Sequence, residues 1–351
     1  MKKKNRILLI GYGWTIVMVV KDNVVEPAGD VEEIFNMVPR IKEYADIDLK
    51  ILSNVDSTNV IPDDWTKISE YIFKHREDYD GFLVAHGTNT MSYSASAVAL
   101  ALWLDFWKPI VFTGSQLPLT VWGNDGAFNL ENSVKSLNQA IEDGINECMI
   151  VFNDLILRAG RTVKISESSF RAFESPTVQH LGEIKSTGVS FNKNILWKEY
   201  PKYQKNYTPI NIKFQTGIVT IDLTPGQNPF IIRSILNNRS CRWIILKSHW
   251  AGSVPTIWDY SFIPLIEEAT KWLGIPVLIS TKFVWWNSYK ETNDEPAVVA
   301  IKAWAIPTWD LTDVMAEVKL MWLLARWITS PEQIKKEIVK EYIGEVNEII
   351  Y

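Results

Sequence analysis

Short apolar runs bounded by turn residues alternate along the chain with stretches whose apolar residues recur at helical spacing, the pattern of a parallel sheet with crossover helices. Arg6 to Tyr12 is predicted as the first strand. Asp30 is placed to cap a helix over Val31 to Val38, and Ile47 to Ser53 reads as the second strand. Pro62 marks the start of a helix over Asp63 to Asp78, because a first-turn residue has no helical N–H bond to lose. A strand over Gly81 to Ala85, a helix over Met91 to Leu104, a strand over Pro109 to Thr113, a helix over Ala127 to Asp143 and a strand over Met149 to Phe152 continue the rhythm. Leu155 to Lys164, around Ala159-Gly160, reads as a hairpin.

From Gly182 to Pro209 the periodicity is lost and Lys, Asn, Tyr and Thr accumulate, which places a linker there. A second unit begins near Gly217. Its expected strands are Ile218 to Ile221, Trp243 to Leu246 and Val277 to Ser280, with helices at Tyr260 to Lys271, Leu311 to Arg326 and Pro331 to Tyr342. The chain has 351 residues, 47% of them apolar, enough for two cores. The expected fold is therefore α/β in two domains. A larger N-terminal domain (residues 1–190) carries a flavodoxin-like or Rossmann-like parallel sheet, residues 191–214 form the linker, and residues 215–351 form a smaller C-terminal parallel α/β domain.

A net charge of -5 leaves no broad basic field to hold a phosphate backbone, so nucleic acid is excluded as a partner. The Lys-rich start resembles the basic flank of a signal peptide, but the apolar run after it is short and broken at Gly11-Tyr12-Gly13. No segment approaches the roughly 18 apolar residues of a membrane span. Cys148 and Cys241 offer neither a disulfide framework nor metal-ligand spacing, and both lead into apolar runs as small core residues do. A cytoplasmic protein without metal, cofactor or membrane contact is expected.

In open parallel sheets, ligands bind beyond the carboxyl ends of the strands, where loops converge and helix N–H groups point outward. Gly13-Trp14-Thr15 follows the first predicted strand, Asp56-Ser57-Thr58 the second, His86-Gly87-Thr88-Asn89-Thr90 the third and Gly114-Ser115-Gln116 the fourth. Ser and Thr commonly do no more than cap turns and helices, which explains any one of these loops. Four such loops at one sheet edge point to nucleophilic attack on a neutral amide or ester. Of the histidines at 75, 86, 180 and 249, only His86 lies in a strand-end loop, and it reads as structural. Gly11-x-Gly13 starts a dinucleotide fingerprint, but Ile16 stands where the third glycine belongs, so a Rossmann cofactor site has little support.

These residues resemble the bacterial-type L-asparaginases. Gly13-Trp14-Thr15-Ile16 is similar to the family's Gly-Gly-Thr-Ile, and Ala85-His86-Gly87-Thr88-Asn89-Thr90-Met91 to its His-Gly-Thr-Asp-Thr-Met. Asn54-Val55-Asp56-Ser57-Thr58 resembles the segment that holds the substrate's α-carboxylate and amino group. Thr113-Gly114-Ser115-Gln116, Asn124-Asp125-Gly126-Ala127-Phe128-Asn129-Leu130, and Arg161-Thr162-Val163-Lys164 with Ala172-Phe173-Glu174-Ser175-Pro176 keep family spacing, as do Asp310-Leu311-Thr312 and Lys319-Leu320-Met321. The resemblance covers nearly the whole chain.

What the resemblance implies is hydrolysis of L-asparagine to L-aspartate and ammonia, without a cofactor, in a homodimer or homotetramer. Thr15 corresponds to the nucleophile that forms an acyl-enzyme, and Thr88, Asn89 and Lys164 to the triad that activates a hydroxyl and later water. A lysine can serve as base there because desolvation favours its neutral form. Backbone N–H groups beside Thr88 correspond to the oxyanion donors. Ser57, Thr58, Thr88, Asn89 and Ser115 correspond to substrate-binding positions. Two departures stand out. Asn89 replaces the usual aspartate, keeping hydrogen bonds but losing charge, and the loop Val17 to Pro27 has Val24 and Val25 but no closing tyrosine. Two further readings are an asparaginase-like glutamyl-tRNA(Gln) amidotransferase subunit, expected to carry an extra domain ahead of the first strand, and a catalytically impaired amino-acid-binding relative.

The 16 tryptophans nearly equal the 17 glycines, whereas a usual glycine share of about 7% would give roughly 25. Trp14, Trp250, Trp285, Trp286, Trp304 and Trp309 stand where the family has glycine, while Trp65 and Trp322 fall on predicted helices. One residue type recurring at turns is the pattern expected of a gene in which UGA encodes glycine, read here as tryptophan; the alternative is a genuinely Trp-rich relative, inactive or altered.

Overall fold

The computed structural model describes residues 3–13, 18–21, 24–27, 37–102, 106–195, 212–285, 287–288 and 294–347. The predicted helix over Val31 to Val38 lies outside them except for its last two residues, and Trp14, Thr15 and Trp286 lie outside them entirely. The chain divides into two compact units, Met1–Ile212 and Lys213–Tyr351.

In the first unit, β1 (Arg6–Tyr12) lies between β4 (Asp46–Ser53) and β5 (Gly81–His86) and is parallel to both. β6 (Ile110–Thr113) and β7 (Cys148–Phe152) extend the parallel order beyond β5. Ile7, Leu9, Leu83, Val111 and Met149 share one core cluster with Ile41 of α1 (Ile41–Tyr44) and with Leu130, Val134 and Leu137 of α4 (Gly126–Asp143). The alternate residues Leu8, Ile10, Phe82, Val84 and Phe112 are also buried. Both faces of β1, β5, β6 and β7 are therefore covered, which is why these four read as largely apolar runs, whereas β4 at the sheet edge is partly exposed and alternates apolar with charged residues. α2 (Pro62–Lys74) and α3 (Met91–Ala101) complete the crossovers; burial of α3 on nearly every side explains its almost uniformly apolar or small sequence. A short ribbon of β2 (Met18–Lys21) and β3 (Val24–Pro27) follows the first strand.

The hairpin expected around Ala159-Gly160 is placed differently. β8 (Leu155–Arg158) runs antiparallel to β7, so the turn falls at Asn153-Asp154, with Asn153 in the left-handed region at φ 54°. Asn and Asp tolerate that region and favour two-residue hairpin loops. Ala159–Arg161 instead forms a 3-10 turn leading to β9 (Val163–Lys164), which pairs with β10 (Phe173–Glu174). Part of the stretch read as linker is also ordered: β11 (Gly182–Lys185) and β12 (Gly188–Phe191) form a hairpin that continues the sheet beyond β8.

The second unit is a four-stranded parallel sheet in the order β13 (Ile218–Asp222), β14 (Trp243–Ser248), β15 (Val277–Thr281), β16 (Ile306–Pro307). Its core gathers Leu223, Ile232, Ile244, Leu246, Phe262, Ile266 and Ile279. Two eight-residue helices go beyond the sequence pattern, α5 (Pro229–Leu236) and α7 (Glu295–Lys302). Each opens on a side-chain cap, Asn228 accepting from the Phe230 N–H and Asp294 from the Ala297 N–H. α6 (Ile263–Glu267) widens into a π-helical turn, Glu268–Trp272. α8 (Asp313–Ala325) and α9 (Pro331–Glu337) end the unit. Lys319 of α8 is wholly buried, and its Nζ donates to the Ile338 carbonyl (2.9 Å), the Lys340 carbonyl (2.6 Å) and Glu345 Oε1 (2.7 Å). All three ammonium protons are thus used, and the C-terminal turn is tied to α8.

No helix among the described residues is long and apolar enough to cross a membrane.

Candidate active site

The order β4-β1-β5-β6-β7 reverses direction at β1, and a doubly wound sheet opens its ligand crevice at such a point, beyond the strand ends. The loops after β1, β4, β5 and β6 meet there because glycine lets backbones touch. Gly13 adopts φ 64°, and a Cβ on it would stand 2.6 Å from the Val55 carbonyl oxygen. A Cβ on Gly87 would collide with the Gly13 carbonyl and the Ser57 side chain.

Hydrogen bonds then lock the loops in register. Asp56 caps the 3-10 turn Ser57–Asn59 by accepting from the Thr58 N–H at 2.7 Å. Thr90 Oγ1 donates to the Ser57 carbonyl at 2.7 Å, and Asn89 Nδ2 donates to Thr58 Oγ1 at 3.2 Å. These bonds tie the Ser57-Thr58 turn to the loop that carries Thr88, Asn89 and Thr90, with Ser57 and Thr88 buried.

Lys164 arrives on the β9–β10 ribbon, held by Ile165 N–H to the Ala172 carbonyl at 2.8 Å. Its Nζ donates to Thr88 Oγ1 at 3.0 Å, to Asn89 Oδ1 at 3.1 Å and to Glu167 Oε2 at 2.9 Å. An ammonium has three protons, and all three are engaged. When Nζ gives up a proton, the Thr88 contact can reverse, with the hydroxyl donating to the amine. The lysine side chain is 12% exposed and that of Glu167 85%, so the carboxylate reaches this cluster from solvent.

The loop after β6 is braced from below. Asp125 accepts from the Gln116 N–H (3.0 Å), the Leu117 N–H (3.1 Å) and Asn129 Nδ2 (2.9 Å); Asn129 Nδ2 also reaches the Gly114 carbonyl (2.9 Å). This gives the Asn124 to Leu130 motif a positioning role. Gln116 Oε1 accepts from Thr88 Oγ1 at 3.4 Å, while its Nε2 donates to the Ser169 carbonyl at 3.1 Å. Ser115 is fully buried, and its Oγ has no hydrogen-bond partner among the described residues.

His86 is structural, as its sequence context suggests. It is fully buried, lies parallel to Tyr12 at 6.3 Å, and donates from Nδ1 to its neighbour's carbonyl, Gly87 O, at 2.8 Å. Burial lowers its pKa to about 4 against the opposing pull of that carbonyl. Beneath it, Tyr12 OH donates to Asp64 Oδ1 at 2.6 Å. Burial and the Asp64 carboxylate raise the Tyr12 pKa, so the phenol stays protonated. Burial pulls Asp64 upward, but bonds from Tyr12, the Ile61 N–H and Lys67 outweigh it and its pKa falls.

Thr15 and Trp14, two candidates of the loop after β1, lie outside the described residues; the remaining named residues fall on these strand-end loops or on the β9–β10 ribbon. Two contributors escape sequence reasoning: the Gln116 side chain as partner of Thr88, and Glu167 as partner of Lys164. The neutral Asn89 is the available signal for Glu167, since a lysine deprived of its usual aspartate invites another carboxylate nearby.

A lysine set against hydroxyls at the switch point of a parallel sheet defines an α/β enzyme equipped for proton transfer to and from a hydroxyl. A family model described as Asparaginase, N-terminal, matches residues 6–197. The L-asparaginase of Thermococcus kodakarensis is 26% identical over 97% of this chain and 99% of its own, and its solved structure superposes with a TM-score of 0.84 at 25% identity, covering 98% of this chain and all of that one. A structure described as the probable cytoplasmic L-asparaginase from Campylobacter jejuni is 26% identical, with a TM-score of 0.79, covering 96% of this chain and all of its own. A glutamyl-tRNA(Gln) amidotransferase subunit of Archaeoglobus fulgidus is also 26% identical, over 97% of this chain and 79% of its own. The chain belongs to the asparaginase family. It is an amidohydrolase with the two-part α/β fold of that family.

Proposed function

We propose that this enzyme hydrolyses L-asparagine to L-aspartate and ammonia. Thr15 Oγ attacks the side-chain amide carbon, the C–N bond breaks, and the nitrogen takes up a proton and leaves as ammonia. Water then cleaves the acyl ester, releasing aspartate and returning a proton to Thr15. Thr88, Asn89 and Lys164 activate the hydroxyl and then the water, and N–H groups beside Thr88 stabilise the oxyanion. Ser57 and Thr58 hold the amino-acid end of the substrate, and Thr88, Asn89 and Ser115 complete the proposed substrate-binding positions. The observation that carries this reading is the Lys164 Nζ to Thr88 Oγ1 contact of 3.0 Å at the end of β5, a base and hydroxyl within proton-transfer distance. Cytoplasmic location and assembly as a homodimer or homotetramer belong to the same proposal; the description of the Campylobacter jejuni relative supports the first. The test is ammonia release from L-asparagine by the purified protein, with Thr15→Ala as control.

A second reading, an ammonia-producing subunit of a glutamyl-tRNA(Gln) amidotransferase, is favoured by the match to the Archaeoglobus fulgidus amidotransferase subunit. It predicts ammonia release that depends on a partner subunit and its tRNA. A third, an impaired amino-acid-binding relative, draws on Asn89 and predicts thermal stabilisation by asparagine without turnover.

A further inference from the structure

Among the described residues three helices end in the same turn, and glycine occupies the critical position in one of these three. α4 ends on Gly144 at φ 68°, where the Gly144 N–H donates to the Ile141 carbonyl (3.3 Å) and the Ile145 N–H to the Ala140 carbonyl (2.8 Å). This pair of bonds is the Schellman motif, which needs a left-handed residue just past the helix. α7 ends the same way on Trp304 at φ 78°, with bonds from Trp304 to Ile301 (3.0 Å) and Ala305 to Ala300 (3.1 Å). α8 does so on Trp327 at φ 61°, with bonds from Trp327 to Leu324 (3.0 Å) and Ile328 to Leu323 (3.2 Å).

Two tight turns repeat the anomaly. Trp250 (φ 44°) is the second residue of the turn closed by the Gly252 N–H on the His249 carbonyl (3.2 Å), and Trp309 (φ 56°) the second of the turn closed by Leu311 N–H on Thr308 (3.2 Å). Positive φ at that position defines mirror-image turns, which glycine and asparagine dominate. Trp258, at φ 55°, is the fifth such tryptophan. Among the described residues the other non-glycine with positive φ is Asn153, a type that tolerates the region. For a bulky residue it is a genuine outlier, because Cβ crowds the following carbonyl.

Four of these five side chains are exposed and Trp309 is half-buried. Trp258 and Trp327 are 84% and 82% exposed, and Trp250 and Trp304 are also exposed, whereas Trp65, Trp243 and Trp322 are buried in helices or a strand. An indole stabilises a protein through the apolar area it buries. Two groups thus stand apart among the described tryptophans: Trp65, Trp243 and Trp322 pack as tryptophan packs, and five stand where backbone geometry asks for glycine, while Trp107, Trp122, Trp272 and Trp285 belong to neither.

We propose that the organism inserts glycine at positions 250, 258, 304, 309 and 327, through in-frame UGA codons that it reads as glycine. UGA differs by one base from the tryptophan codon UGG and by one from the glycine codon GGA, so either reading needs only a small change in decoding. Backbone geometry alone adds 258 and 327 to the positions marked by family spacing. It gives no ground for 285, which is exposed but outside the left-handed region.

The test is peptide mass spectrometry of the protein isolated from its native source, read beside the gene's codons. Glycine at all five positions, each encoded by UGA, with tryptophan from UGG at 65 and 322, is the expected result. Tryptophan at position 304 or 327 in the native peptides overturns the proposal.

Discussion

Lys164 and Thr88, 76 residues apart in sequence, meet with Nζ 3.0 Å from Oγ1. The contact joins the β9–β10 ribbon to the loop after β5, and in the proposed mechanism removal of either partner breaks a unit that acts together. Thr88→Ala and Lys164→Met are each expected to lower kcat by roughly 10³-fold or more, with the cooperative thermal transition retained. Near-normal turnover in either variant contradicts its assigned role.

In the proposed site, Asn89→Asp places a carboxylate beside Lys164 and toward the α-ammonium of bound L-asparagine. A charge-assisted hydrogen bond in place of a neutral one is worth on the order of 1 kcal/mol, so affinity for L-asparagine is expected to rise about fivefold. Isothermal titration of the Thr15→Ala protein, with and without the added carboxylate, measures the change; an unchanged or weaker affinity counts against that geometry.

If Glu167 supplies the charge that Asn89 lacks, Glu167→Gln lowers kcat more in the parent than in the Asn89→Asp background. Equal losses in both backgrounds in a double-mutant cycle indicate that the two positions act independently.

Stability carries a pH signature from His86. Its folded pKa, about 4, lies below the ordinary 6.5 because burial disfavours the imidazolium. The stabilisation is therefore complete above pH 6.5 and is lost as pH falls toward 4, amounting to about 3 kcal/mol over that window. Urea unfolding at pH 7 and pH 4 measures it, and His86→Gln is expected to flatten the dependence.

Trp304→Gly and Trp327→Gly each relieve a left-handed residue with an exposed indole. Each is expected to stabilise the chain by about 1 kcal/mol. Trp322→Ala, which empties a buried site, is expected to cost about 3–5 kcal/mol. Thermal or denaturant unfolding of the three variants checks both signs.

β1 and β5 to β7 were legible because strands covered on both faces keep unbroken apolar runs, and the edge strand β4 because Ile47, Leu49 and Ile51 alternate with Asp48 and Lys50; all five begin and end within a residue or so of expectation. The site loops were legible because the sheet order forces them together beyond those strands. What escaped has physical reasons. Asn153-Asp154 makes the β7–β8 hairpin with two residues, while the more conspicuous Ala159-Gly160 lies in a 3-10 turn. The β11–β12 hairpin ends the sheet, and its half-exposed residues show little apolar patterning. α5 and α7 span eight residues each, too short for a periodic signal. Glu167 is surface-exposed and looks ordinary until Lys164 is placed beside it.

Threonine-dependent hydrolysis of L-asparagine is measured as ammonia release from protein carrying glycine at positions 14, 250, 258, 304, 309 and 327, beside the same protein with Thr15→Ala. Equal amounts of ammonia and L-aspartate are expected from the first and none above background from the second. A folded, cooperatively melting protein that releases no ammonia from L-asparagine, or one whose activity survives Thr15→Ala, contradicts the proposed hydrolysis.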